Sequence, residues 1–178
     1  TLKSGAYHDT QNTTQRVSRA ARAKITIAER HLLELLVFDR DLRDVILPQI
    51  EPSDYENLPT AEIFAAFVAI HGSKKDIDQE SLLEHIGDDE NAVDLAQVLL
   101  AGKPRRERDD AIDTVLHDAE NCVFSLRNMA ITNRIMEISR DATIAEQSND
   151  STRFNQLTFE QLELEKIRRD LQRRISEM

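Results

Sequence analysis

Between Arg105 and Gln147 the chain contains neither glycine nor proline. Apolar residues recur through this stretch at helical spacing. They run Ile112, Val115, Leu116, Ala119, Val123, Leu126, Met129 and Ala130, then Ile131, Ile135, Ile138, Ala142 and Ala145. Nothing in it stops a helix, and one unbroken helix of this length would be about 60 Å long. Its front half can pack on the residues before it. Its back half needs another partner or stands out in water. That partner follows directly. Ser148-Asn149-Asp150-Ser151 reads as a turn and cap, after which Phe154, Leu157, Gln161, Leu164, Arg168, Leu171, Ile175 and Met178 alternate at spacings of three and four. A connection this short makes an antiparallel helical hairpin.

The residues upstream predict several shorter helices. Thr26-Ile27-Ala28-Glu29 has the form of a capping box, and Leu32, Leu33, Leu35, Leu36 and Val37 follow as an apolar face. Asp41 is placed to cap a second helix carrying Leu42, Val45 and Ile46, closed before Pro48, and Ile50 to Pro59 reads as a loop. Thr60 and Asp78 are placed to open two further helices, and residues 89–101 form another. Gly72, Gly87 and Gly102 each sit just past an apolar stripe, where a left-handed residue can finish a helix. The expected fold is all-α: an N-terminal multi-helix bundle over residues 26–125, joined through the long helix to a C-terminal antiparallel helical hairpin over 126–178. Residues 1–25 have almost no large apolar side chains to offset the entropy of ordering, and are expected to be a flexible arm or linker.

Charge narrows the function. The net charge of −10 divides into +4 over residues 1–26, −11 over 27–104, −4 over 105–152 and +1 over 153–178. A body this acidic repels a nucleic-acid backbone, so only the ends are candidates for such contact. The four glycines are too scattered for a phosphate loop. No apolar run is long enough to span a membrane. The single Cys122 forms no internal disulfide and no cysteine-based zinc cluster, which fits a reducing, cytoplasmic setting. A start at Thr1 rather than Met suggests a piece of something longer.

Catalytic patterns do not assemble. There is no HExxH, and no glutamate is followed three residues later by histidine. His117 and Glu120 share a helix face, but one pair is far from a ligand set. Cys122, beside the core stripe of the long helix, reads as a small buried hydrophobe rather than a nucleophile. The expectation is a non-catalytic domain with no cofactor and no metal. A hairpin standing off a bundle suits a protein–protein adaptor.

Several segments carry a family resemblance. AERHLLELLVFDRDL, the helix TAEIFAAFVAI, the stretch KKDIDQESLLEHIGDD and the closing NDSTRFNQLTFEQLELEKIRRDLQRRI together resemble the C-terminal helicase-binding domain of bacterial DNA primase over residues 26–178. That resemblance implies a primosome component that docks on the N-terminal domains of the hexameric replicative DNA helicase. Docking would recruit primase to the replication fork and modulate helicase and priming activity. The N-terminal domain of the replicative helicase resembles the same pattern. It ranks second because a helicase would continue into a nucleotide-binding domain, and because AERHLLELLV lacks the glycine that usually interrupts the helicase's first helix. A helical nucleic-acid-binding module using the basic arm and the Arg-rich last helix is a further alternative.

Family docking surfaces of this kind lie mainly on the hairpin. Phe159 and Leu162 fall off the heptad seam of the last helix, and Ile144 lies beside the turn. Arg169 and Arg173 offer planar forks to carboxylates on a partner. These five are the expected partner-binding residues.

Overall fold

The structure is a computed structural model that describes residues 25–73, 75, 77–102 and 112–177. The basic arm, residues 103–111 and Met178 lie outside the described residues. All regular structure among the described residues is helical, in eight α-helices and one 3-10 turn.

Helix α1 (Ile27–Phe38) starts on the capping box its sequence predicts. The Glu29 amide donates to Thr26 Oγ1 at 3.2 Å, and the Thr26 amide donates to Glu29 Oε1 at 2.9 Å. The same carboxylate has a second task. Its Oε2 accepts the Thr60 hydroxyl at 2.7 Å, with both residues fully buried. Thr60 therefore occupies the N-cap of a later helix without capping it through its side chain. A buried carboxylate needs such partners, because an unpaired one is strongly destabilising in the interior.

Helix α2 (Arg40–Ile46) is capped by Asp39, whose Oδ1 accepts the Leu42 amide at 3.0 Å, and not by Asp41. Asp39 is at once the last cap of α1 and the first of α2, so the break between them is one extended residue. Arg43 closes the other end of α1: its Nη1 donates to the carbonyls of Leu36 and Val37 at 3.0 and 3.2 Å. After a 3-10 turn at Leu47–Gln49, a single helical turn α3 (Pro52–Tyr55) occupies part of the expected loop. Pro52 is tolerated there because a first-turn residue has no amide partner to lose.

Helices α4 (Ala61–Gly72), α5 (Gln79–Ile86) and α6 (Glu90–Leu100) complete the bundle. Asp78 and Asp89 cap the last two through their carboxylates. The Asp78 carboxyl is held below its usual range, first by the backbone hydrogen bond from Ser81. Of the three glycines expected to be left-handed, only Gly87 has a positive φ, at 69°. Gly72 ends α4 within its own helical turn, so its position places no demand on a residue without a side chain.

Helix α7 (Ile112–Gln147) is a single 36-residue rod about 54 Å long. It belongs to two apolar cores. Val115, Ala119, Cys122, Val123 and Leu126 bury against the bundle, with Leu32, Leu36, Phe64 and Phe67 in the same cluster. Ile138, Ala142 and Ala145 form a second cluster with Leu157 of helix α8 (Ser151–Glu177), flanked by Phe154 and Leu164. The turn between α7 and α8 explains the reversal. Asn149 is left-handed at φ 58°, and the Asp150 amide returns to the Ala145 carbonyl at 2.9 Å, closing α7. Asp150 then caps α8 by accepting the Arg153 amide at 3.0 Å.

Candidate functional site

Two ion pairs fix the register of the hairpin. Arg134 on α7 reaches Glu160 on α8 at 2.7 Å, and Arg153 on α8 lies 4.0 Å from Asp141 on α7. Seven residues up one helix match seven down the other, as an antiparallel pair requires. The Arg134 guanidinium is held above its ordinary range, first by the Glu160 hydrogen bond. Carried on at the same register, the last turns of α8 come level with residues 120–127 of α7, in the part that packs on the bundle. Leu171, buried there, is the last fully covered seam residue among those described.

The seam itself follows the heptad reading. Leu157 and Leu171 are buried, while Phe154, Gln161, Leu164, Arg168 and Ile175 are half-buried. Its polar members are accommodated unequally. Gln161 donates to Glu165 at 3.1 Å, whereas the buried Nε of Arg168 has no hydrogen-bond partner.

The opposite side of α8 carries exposed apolar residues among charged ones, with Glu163, Lys166 and Asp170 on the same exposed face. Phe159 is 64% exposed, Leu162 58% and Ile167 52%. At about 100° per residue Phe159 and Leu162 lie about 120–180° round the helix from Leu157, Leu164 and Leu171, whereas Ile167 lies only about 40–80° from them, at the edge of the seam. Ile144, 62% exposed, sits one turn before the hairpin's turn, and Met136 adds a further exposed side chain on α7. Arg169 donates to the Glu165 carbonyl at 3.3 Å, and Arg173 lies 3.4 Å from Asp170. All five residues expected from the sequence are thus at the surface of the hairpin. Phe159, Leu162, Arg169 and Arg173 share α8, whereas Ile144 is nearer the tip. Ile167 and Met136 escaped the sequence reading, although their spacing off the seam was the available signal.

Other candidate chemistry is structural. The Cys122 thiol is pushed up to about 11, chiefly by burial and then by Asp118, so it is a protonated core group rather than a nucleophile. Among the described residues, no group of three or more His, Cys, Asp or Glu side chains is arranged to hold a metal ion. No helix among them is long and apolar enough to cross a membrane.

Residues 23–101 match the family model described as DnaB-like helicase N terminal domain. Neither a curated protein nor a solved structure matches the chain. The family match overturns the primase resemblance and with it the primase function. It favours the reading ranked second. The order of helices that carried the primase resemblance is shared by both domains, so it does not separate them. The missing glycine does not separate them either: α1 runs unbroken from Ile27 to Phe38 within the matched segment. Where the chain ends carries no weight, because the sequence may be part of a longer protein.

Proposed function

We propose that this chain is the N-terminal, non-catalytic interaction domain of a DnaB-like replicative helicase, and that it takes part in DNA replication by binding other replication proteins. The observation that carries this reading is the family match across the bundle, residues 23–101. The hairpin supports the interaction role, because Phe159 and Leu162 on the outer face of α8 are large apolar side chains left more than half exposed. Burying such side chains at a partner is worth about 1.5–3 kcal/mol each before the costs of association.

In this reading the domain's partners are primase and the rest of the helicase, and the contact residues are Phe159, Leu162, Ile144, Arg169 and Arg173. The apolar members supply the area and the arginines the polar rim. The acidic bundle adds long-range attraction for a basic partner.

The test is calorimetric titration of the 178-residue chain with the helicase-binding domain of primase from the same organism. Saturable binding that weakens at least tenfold in Phe159→Ser/Leu162→Ser, with an unchanged melting temperature, supports the reading. No binding by a folded, monodisperse chain rejects it. Equal binding by both proteins rejects the hairpin as the contact.

A further inference from the structure

We infer that the last turns of α8, residues 168–177, are a strap that releases from α7 as an intact helix, and that a polar layer of Asn128 and Arg168 sets where the two helices part. The inference is independent of the helicase reading.

From the turn toward the bundle, the seam of α7 reads Ala145, Ala142, Ile138, Ile135, Ile131, Asn128 and Phe124, at alternating spacings of three and four. At the register fixed by Arg134–Glu160 and Arg153–Asp141, residue 168 of α8 lies level with residue 126, so Asn128 falls between Leu164 and Arg168. Arg168 holds the matching seam position of its own helix. Both side chains are half-buried, and a fully buried atom of each, Asn128 Oδ1 and Arg168 Nε, has no hydrogen-bond partner. One is an acceptor and the other a donor, yet neither is satisfied. A buried polar group without a partner loses its hydration and gains nothing in exchange, and exposure to water restores it. Docking of α8 on α7 is therefore opposed at this layer.

The two sides of the layer are held differently. On the turn side, Ile138, Ala142, Ala145 and Leu157 form a core flanked by Phe154 and Leu164, and the ion pairs Arg134–Glu160 and Arg153–Asp141 clamp the same stretch. Beyond the layer the attachment is apolar. Leu171 is buried and Ile175 half-buried, and Leu171 belongs to neither apolar core. Among the described residues, the polar contacts of this stretch stay within α8: Arg169 with the Glu165 carbonyl, Arg173 with Asp170, and Ser176 with the Gln172 carbonyl. Those contacts survive separation, so the strap leaves without unwinding. Its release uncovers the half-buried Phe124 of α7 and carries Arg169 and Arg173 away, while Phe159 and Leu162 stay in place.

The test reads side-chain accessibility, because a helix that swings away intact keeps its amide hydrogen bonds. In the full chain carrying Cys122→Ala, one thiol is introduced by Leu171→Cys or, as the reference in the fixed core, by Leu157→Cys. Its reaction with iodoacetamide at pH 8 is followed in proteins of unchanged helicity. The thiol at position 171 is expected to react at least tenfold faster than the thiol at position 157. Adding Arg168→Leu or Asn128→Leu replaces an unsatisfied group with one that packs. Either is expected to slow the reaction at 171 at least tenfold and to leave that at 157 unchanged. Rates within tenfold of each other at the two positions overturn the inference. So does a fast reaction at 171 that neither leucine variant slows, which is the behaviour of a helix end that frays without regard to the layer.

Discussion

Arg127 and Asp54, 73 residues apart, are joined by two hydrogen bonds of 2.9 and 2.7 Å that tie the middle of α7 to the one-turn helix α3. The same guanidinium donates to the Gln49 carbonyl at 3.0 Å and lies 4.0 Å from Glu51. It is held above its ordinary range, first by the Asp54 hydrogen bond. The two partners are unequally placed: the Arg127 side chain keeps 29% of its surface in water, while Asp54 keeps 3%.

That inequality predicts an asymmetric pair of mutants. Arg127→Leu strands a buried carboxylate and is expected to cost about 3 kcal/mol, the lower end of the range for breaking a buried pair because Arg127 is partly solvated. Asp54→Asn leaves an arginine that reaches water, and it costs less. Urea denaturation of both variants checks the order, and a larger loss from Asp54→Asn contradicts it.

The glycines predict opposite signs. Gly87 has φ 69° and ψ −140°, a conformation open to glycine and strained for other residues. Gly87→Ala is expected to destabilise by about 1–3 kcal/mol. Gly72→Ala sits in helical backbone with free space around it and is expected to stabilise by about 0.4–1 kcal/mol. Thermal melts of the two alanine variants distinguish these outcomes.

The buried thiol predicts alkaline sensitivity. Cys122 has its folded value raised from 9.0 to about 11, so the folded state holds this proton more tightly than the unfolded chain. Its contribution to stability is complete below the unfolded value and is lost as pH rises from 9.0 through about 11. Tyr55, raised first by burial and then by Glu56, acts in the same direction. Cys122→Ala therefore shows a shallower loss of stability above pH 9 than the wild type, and the native thiol reacts slowly with iodoacetamide at pH 8.

The hairpin predicts a contrast between its two faces. Leu157→Ala empties the seam and is expected to cost about 2 kcal/mol or more, because Leu157 closes the smaller core with Ile138, Ala142 and Ala145. Phe159→Ser and Leu162→Ser on the outer face are expected to stay within about 0.5 kcal/mol. Hydrogen exchange of the seam variant shows lost protection in α8 and the end of α7, while α1 and α4 keep theirs.

Features written in adjacent residues were legible in the sequence. The Thr26–Glu29 box, the stripes of the bundle helices and the turn before the heptads all depend on spacings under eight residues. Elsewhere two local answers competed. Asp39 and Asp41 both precede Leu42, and only Asp39 stands three residues before it, at the reach a cap needs. Pro52 reads as a loop residue until its position at the start of a turn is known. Long-range pairs left no local trace: nothing near Glu29 announces Thr60, and nothing near Arg127 announces Asp54. The family was misread because apolar periodicity reports helices and their order, which two related domains have in common.

The continuity of α7 has a mechanical consequence. Between Met129, the last residue packed on the bundle, and Ile138 of the second cluster, the backbone is helical at every residue and lacks glycine and proline. There is no joint at which the arm can fold while its base stays still. A load applied at the tip near Asn149 travels along a stiff beam and arrives as torque on Cys122, Leu126 and the Arg127 tie. The hairpin and the bundle therefore turn together, and a partner that grips one end orients the other.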